Sequence, residues 1–166
     1  MVDFDFIDLR ILDALQRDAS QSVEQIAQAV GLSQNPCWRR IKRLESEGVI
    51  ARRVAIVDPA KLGVGVTVFV SVRTNQYNDE WLEQFTRGVQ DIPEIVEIYR
   101  MSGDVDYLLK ILVRDIAEYD RVYKRLIRVA ELYDVSSSFS MEQLKHSTAI
   151  PLPSEEELAS RKRQRS

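Results

Sequence analysis

Residues 33–53 read SQNPCWRRIKRLESEGVIARR, and this stretch decides the fold. Ser33 is an N-cap candidate, because a serine oxygen accepts from the free amides of a first helical turn. Pro36 fits only in that turn, where its missing N–H is not needed. Cys37, Ile41 and Leu44 recur at i, i+4 and i+7 and form one narrow apolar stripe. The other faces carry Gln34, Asn35, Trp38, Arg39, Arg40, Lys42 and Arg43. Gly48 is placed to end the helix. VIARRVAIV follows with strand composition, and Arg52 and Arg53 lie within it. A helix buried on one side and basic on the other, followed by a β-ribbon, is how a winged helix-turn-helix meets DNA.

Working back toward the N-terminus, Asp5 is an N-cap for a first helix and Asp8 complements its dipole. Ile7, Ile11, Leu12 and Leu15 give that helix an inward face, and DASQS breaks it. Ser22 with Gln25 is a capping box that opens a second helix, VEQIAQAV. Val23, Ile26, Ala27 and Val30 face inward, and Gly31 ends it. Two short helices joined by a tight glycine-containing turn form a helix-turn-helix.

Working forward, Asp58-Pro59 ends the wing strand, since proline cannot continue a ladder. DPAKLGVG is a linker. Beyond it come VTVFVSVRT (strand), NDEWLEQFTRGVQ (helix), EIVEIYRM (strand), DYLLKILV (strand), IAEYDRVYKRLIRVA (helix) and VSSSFSMEQLK (strand). The order β-α-β-β-α-β is that of a ferredoxin-like sandwich, with both helices on one face of a four-stranded antiparallel sheet. VFV and LLKILV are apolar on both sides of the pleat, so the other face is expected to be buried against a second copy of the chain. The fold class is α+β. The expected domains are a winged helix-turn-helix over 1–57, a linker over 58–65, a sensing and oligomerisation domain over 66–150, and a charged tail over 151–166. The tail, PSEEELASRKRQRS, is expected to be unstructured, with Arg161, Lys162, Arg163 and Arg165 solvated.

The chain has 166 residues, 45% hydrophobic and 30% charged, enough for one good core or two small ones. Its net charge is −3, which argues against indiscriminate coating of nucleic acid. The distribution matters more than the sum. Asp3, Asp5, Asp8, Asp13 and Asp18 make the start acidic, whereas Arg39 to Arg53 is strongly basic. A single cysteine and a single histidine rule out a disulfide framework and leave no structural zinc set. No apolar run reaches membrane-spanning length and the N-terminus is acidic, so the expectation is a cytoplasmic protein without a membrane partner. Cys37 belongs to the apolar stripe and reads as a buried, inert thiol. Gly63 and Gly65 precede a strand and lack a third glycine, so they are not a dinucleotide loop. No hydrolase, metalloprotease or P-loop signature occurs, and neither a cofactor nor an enzymatic activity is expected.

Two sets of residues carry candidate chemistry. At the start of a recognition helix, Gln34, Asn35, Trp38 and Arg39 are placed to read base edges. Arg40, Lys42 and Arg43 suit phosphate contacts, with Arg40 having the alternative of pairing to an acidic neighbour in its own domain. Arg52 and Arg53 belong to the wing. The plain alternative for all of them is a solvated helical face. The second set is the hairpin RMSGDVDYLLK. Gly103 gives the turn its backbone freedom, and Asp104 and Asp106 place carboxylates beside it. Free turn amides suit an α-carboxylate and an aspartate suits an α-ammonium, so the pair matches a free amino acid. The plain alternative is an ordinary turn with surface carboxylates.

The blocks FDFIDLRILDALQRD, LSQNPCWRRIKRLESEGVI, DPAKLG, RMSGDVDYLLKILVRD and SSSFSMEQLKHSTAIPLP occur in that order from Asp3 to about Pro153. In this the chain resembles the leucine-responsive/asparagine-operon (Lrp/AsnC) family of bacterial transcriptional regulators. The resemblance implies an effector pocket between dimers, carried over here to Gly103, Asp104, Asp106, Ile116, Ser138 and Phe139. It also implies a homodimer assembling to a tetramer or octamer, double-stranded operator DNA as partner, and an amino-acid effector that changes the assembly. The PCWRR and SSFSMEQ segments are similar to a branch that includes regulators of amino-acid catabolism and cysteine detoxification, which adds cysteine or another catabolised amino acid as the expected effector. Family members often carry two small or proline residues where this chain has Gln34-Asn35, so operator sequence is the property that the departure touches. The competing classes are a nucleoid-type architectural protein of low sequence preference and a small-molecule-binding enzyme on the same sandwich.

Overall fold

The computed structural model describes residues 5–163, with side chains described to Ser160. Asp3 and the basic cluster Arg161, Lys162, Arg163 and Arg165 therefore lie outside the described residues or side chains. The chain divides into two compact units, Met1–Ile56 with Lys145–Ser166, and Val57–Leu144.

The first unit holds helices α1 (Phe6–Arg17), α2 (Val23–Val30) and α3 (Gln34–Ser46). Both of the first two open with a full capping box. Asp8 N–H donates to Asp5 Oδ1 and Asp5 N–H to Asp8 Oδ2, each at 2.9 Å. In α2 the reciprocal pair is Ser22 and Gln25, at 2.8 and 3.2 Å. Ser33 holds the N-cap position of α3 with extended backbone, but its side chain makes no capping bond. Gly48, at φ 72°, follows the end of α3 and turns the chain away. Ile11, Leu15, Ile26, Ala27, Val30, Cys37, Ile41 and Leu44 form the three-helix core. Each large aliphatic among them contributes about 1.5–3 kcal/mol by burial.

The expected wing strand is not formed: residues 51–58 enter no ladder. Strand pairing needs a hydrogen-bonding edge alongside, and none is offered among the described residues of this unit. Val54 and Ile56 are left exposed there. The C-terminal stretch departs from expectation in the opposite sense. Residues 140–153 form neither strand nor helix, while Glu155–Arg163 forms a helix, α6. Ser154 and Glu157 cap it reciprocally, at 2.7 and 3.2 Å. Ahead of α6, Gln16 on α1 clasps the backbone of Ile150 with both ends of its amide, at 3.0 and 3.1 Å. This is why residues from Lys145 onward group with the helices rather than with the sheet.

The second unit is the expected sandwich. Its strands are β1 (Val66–Arg73), β2 (Ile95–Arg100), β3 (Tyr107–Val113) and β4 (Asp134–Phe139), and its helices α4 (Asp79–Gln90) and α5 (Ile116–Leu126). A short 3-10 turn, Ala60–Leu62, precedes them. All pairings are antiparallel in the order β2-β3-β1-β4. The last strand is shorter than expected, ending at Phe139. Val68, Val70 and Val72 alternate with Tyr107, Leu109, Ile111 and Val113 to make the helix-covered face. Trp81 and Phe85 of α4 stack at 4.9 Å, and Tyr107 lies 4.9 Å from Phe85. Such pairs add about 0.5–1.5 kcal/mol each beyond burial. On the opposite face, Phe69, Leu108, Leu112 and Tyr99 are incompletely buried, with the Glu97–Lys110 pair among them at 2.9 Å.

Candidate functional site

With about 100° between successive residues, the side chains of α3 sort into sectors. Gln34, Asn35, Trp38, Arg39 and Lys42 fall within an arc of roughly 140°. All five are exposed, as is Ser33 ahead of them. Cys37, Ile41 and Leu44 fall in a separate arc of roughly 60° and are 0–2% exposed. Burial pushes the Cys37 thiol up, which keeps it protonated. Arg40 and Arg43 lie between the two sectors, on the side of α1.

That intermediate position gives them a different task. Arg40 Nη1 donates to Asp5 Oδ2 and Asp8 Oδ1, each at 2.8 Å, and Arg43 Nη2 donates to Asp8 Oδ2 at 2.5 Å. Asp8 is 1% exposed, so its carboxylate is a buried acceptor shared by two arginines. Hydrogen bonding to Asp8, reinforced by Asp5, raises the pKa of Arg40 against the effect of burial. Of the two alternatives open to Arg40 in the sequence, pairing with an acidic neighbour is the one the fold adopts. Arg43, expected at phosphate, is tethered to the same carboxylate, with Glu47 3.9 Å from its Nε. Two further basic residues share one acid: Lys42 Nζ and Arg53 Nη2 meet Glu45 at 2.8 and 2.9 Å. Among the described residues, Gln34, Asn35, Trp38, Arg39 and Arg52 have no side-chain hydrogen bond or ion pair within the chain.

The candidate effector residues fall into two places. Gly103, Asp104 and Asp106 come together at the β2–β3 hairpin, beside a recess of about 340 Å³. Gly103 has φ 116°, a backbone that favours glycine. Asp106 Oδ2 accepts from Thr74 N–H at 2.8 Å, and its backbone bonds Met101 and Val72, so this carboxylate braces the hairpin against the end of β1. Ile116, Ser138 and Phe139 are not part of the recess. Ile116 opens α5 and is 71% exposed. Ser138 and Phe139 stand opposite Phe69 and Val68, several residues along β1 from the hairpin. Phe139 turns toward the helices, edge-on to Tyr119 at 5.1 Å.

Sequence reasoning missed the other side of the recess, Arg73, Tyr77 and Tyr133. Arg73 ends β1 and Tyr133 precedes β4, and only the strand order brings them beside the hairpin. It also missed Asp5 and Asp8 as arginine partners, because helix capping already accounted for both.

Comparison with known proteins also distinguishes two parts of the chain. Residues 5–51 match a winged helix-turn-helix DNA-binding model, and residues 67–150 match the Lrp/AsnC ligand binding domain. The glutamate uptake regulatory protein of Zymomonas mobilis is 50% identical over 158 residues, covering 95% of this chain and 96% of that protein. The crystal structure of an AsnC family transcriptional regulator from Agrobacterium tumefaciens superposes with a TM-score of 0.86 at 54% identity, covering 89% of this chain and 97% of that one. A transcriptional regulator from Neisseria meningitidis, solved in complex with L-Met, gives a TM-score of 0.85 at 27% identity, covering 90% and 97%. With a recognition-helix unit and a βαββαβ unit each matched in order, the chain belongs to the Lrp/AsnC family, a family of transcriptional regulators and not of enzymes.

Proposed function

We propose that the chain binds specific operator sequences through α3 and that an amino acid bound at the β2–β3 hairpin controls this binding. The observation that carries the reading is the arc Gln34, Asn35, Trp38, Arg39, exposed and without partners among the described residues while a separate edge of the same helix is core. Asn and Gln pair bidentately with adenine and Arg with guanine, each worth about 1–3 kcal/mol of discrimination. Lys42, Arg52 and Arg53 then meet phosphate, and Asp8 with Arg40 and Arg43 fixes the angle at which the helix is presented. The hairpin recess, with turn amides and carboxylates side by side, suits the two charged ends of a free amino acid. The Zymomonas relative's name and the L-Met complex of the Neisseria protein support this ligand class. This role places the chain in the cytoplasm, with the chromosome.

The same reading assigns the chain to a homodimer that assembles further, to a tetramer or octamer. Supporting it are the apolar residues of the sheet face not covered by helices and the exposed Val54 and Ile56 of a segment with strand composition and no partner. A two-fold dimer reads two half-sites, so the operator is a rough palindrome. The effector then acts by favouring one assembly over another. Ile116, Ser138 and Phe139 belong to this scheme as residues that a neighbouring subunit brings to the hairpin.

The decisive experiment is selection of binding sites from random DNA by the full chain, with and without amino acids. Enrichment of one palindromic motif, altered by an amino acid, is the expected result. Tight binding with no enriched motif would overturn the reading in favour of an architectural protein. Light scattering on the same samples checks the assembly, and a monomer at all concentrations overturns that part.

A further inference from the structure

The amino-acid reading of the hairpin recess leaves open which side chain the effector carries, and the inference below rests on that reading. One wall of the recess is the turn at Gly103 with Asp104, and the facing wall is Arg73 with Tyr77 and Tyr133. Asp106 is already occupied by the Thr74 amide. Asp104 makes no hydrogen bond or ion pair among the described residues. Arg73 makes no ion pair among them either, although Asp134 is its cross-strand register partner. Its guanidinium carbon stands 6.0 Å from the centre of the Tyr133 ring, a cation–π contact. Tyr133 is in turn fixed to β1, its N–H donating to the Arg73 carbonyl at 2.9 Å. The recess is therefore walled by one unengaged carboxylate, a turn with backbone amides, and one guanidinium held by a ring but not neutralised.

Any free amino acid satisfies the first two features, ammonium on Asp104 and α-carboxylate on the turn. The guanidinium is then left over. We infer that the effector is an acidic amino acid, whose side-chain carboxylate is received by Arg73. A planar guanidinium matches a carboxylate with two parallel hydrogen bonds, which adds direction to charge. An apolar side chain would strip water from Arg73 and replace it with nothing, the kind of mismatch that polar sites reject strongly. Within one chain no described Leu, Ile, Val or Met lines the recess, and the Ile116 and Phe139 of a neighbouring subunit would still leave Arg73 without a counter-charge. A basic side chain meets like charge. Tyr77 and Tyr133, 77% and 66% exposed, flank the position as amphipathic walls suited to a polar chain.

The test is calorimetry on the full chain with L-glutamate, L-aspartate, L-glutamine, L-methionine, L-leucine and L-cysteine, repeated on R73Q and D104N with melting curves to verify folding. Expected is binding of glutamate or aspartate at least tenfold tighter than glutamine, with that ratio falling toward one in R73Q. Equal binding of glutamate and glutamine overturns the inference. So does an R73Q variant that loses all amino acids alike, because Arg73 would then hold the α-carboxylate. If methionine, leucine or cysteine binds best and D104N abolishes it, the amino-acid reading stands and the acidic assignment falls. If no amino acid binds a protein that still binds DNA, both fall.

Discussion

Asp8 and Arg40 are 32 residues apart in sequence and 2.8 Å apart in space, Arg40 Nη1 donating to an Asp8 Oδ1 almost wholly removed from water. The other oxygen of the same carboxylate takes Arg43. Removing it, as in Asp8→Ala, leaves Arg40 with Asp5 alone and Arg43 with the more distant Glu47, and opens the capping box of α1. Severing a fully buried pair costs about 3–5 kcal/mol. Because Arg40 and Arg43 remain partly solvated, about 2–3 kcal/mol is expected. Urea denaturation checks this, with Asp13→Ala as an exposed control expected within about 0.5 kcal/mol of the parent.

Acid should loosen the neighbouring contact between Asp5 and Arg40. Burial alone would raise the Asp5 pKa, but the Asp8 amide and Arg40 outweigh it and hold it below the usual carboxylate range. A group depressed in the folded state contributes stability that is complete above its unfolded value, about 3.9, and is lost as pH falls through the folded value. Asp5→Asn should therefore be less stable at neutral pH and converge with the parent below about pH 4. Denaturation midpoints across that range provide the measurement.

Neighbouring arginines on α3 should separate cleanly. Arg39→Ala is expected to weaken operator binding by about 1–3 kcal/mol without moving the melting temperature. Arg40→Ala should lower the melting temperature instead. Lys42→Ala should reduce the salt slope of binding by about one unit, and Arg43→Ala by less, since Asp8 already engages it. Gel shifts over a salt series, paired with melting curves, distinguish these outcomes.

The two hairpin aspartates should also part ways. Asp106→Ala leaves the buried Thr74 amide without its acceptor and should cost about 1–3 kcal/mol. Asp104→Asn should leave stability unchanged and weaken amino-acid binding. Calorimetry and thermal melting on both variants read the contrast.

Gly88 lies inside α4, where alanine would ordinarily gain about 1 kcal/mol. Here a methyl group would press on the side chain of Val129, its carbon 3.1 Å from Val129 Cβ and nearer still to the methyls. Overpacking costs about 1–3 kcal/mol, so G88A should be net destabilising. Adding V129A should reverse the sign, G88A/V129A being more stable than V129A alone. Denaturation of the four proteins gives the coupling.

What the sequence discloses here is whatever is local. Ser22-x-x-Gln25, Pro36 in a first turn and the spacing of Cys37, Ile41 and Leu44 each encode their geometry within a few residues. The β-branched and aliphatic runs VTVFVSVR and YLLKILV disclosed the strands, but, being apolar on both sides of the pleat, not which residues face the helices. The rest lies where a distant partner decides. Arg40 left two readings open, phosphate or an acid of its own domain, and Arg43 read as a phosphate contact, because nothing near them announces Asp8. VIARRVAIV has strand composition, but a ladder needs an edge that this unit does not provide. Arg73 and Tyr133 join the hairpin only through the order of strands. The Ser154-x-x-Glu157 box was local and legible, and the charge of the tail obscured it.

The clasp between Gln16 and Ile150 joins residues 134 positions apart. Chains emerge from the ribosome N-terminus first, and domains tend to fold as they appear. The three helices are exposed long before Ile150 is made, so Gln16 and the adjoining apolar edge of α1 must wait through the synthesis of the entire sheet unit. Within these residues the helical unit is thus opened before the sheet unit is made and closed after it.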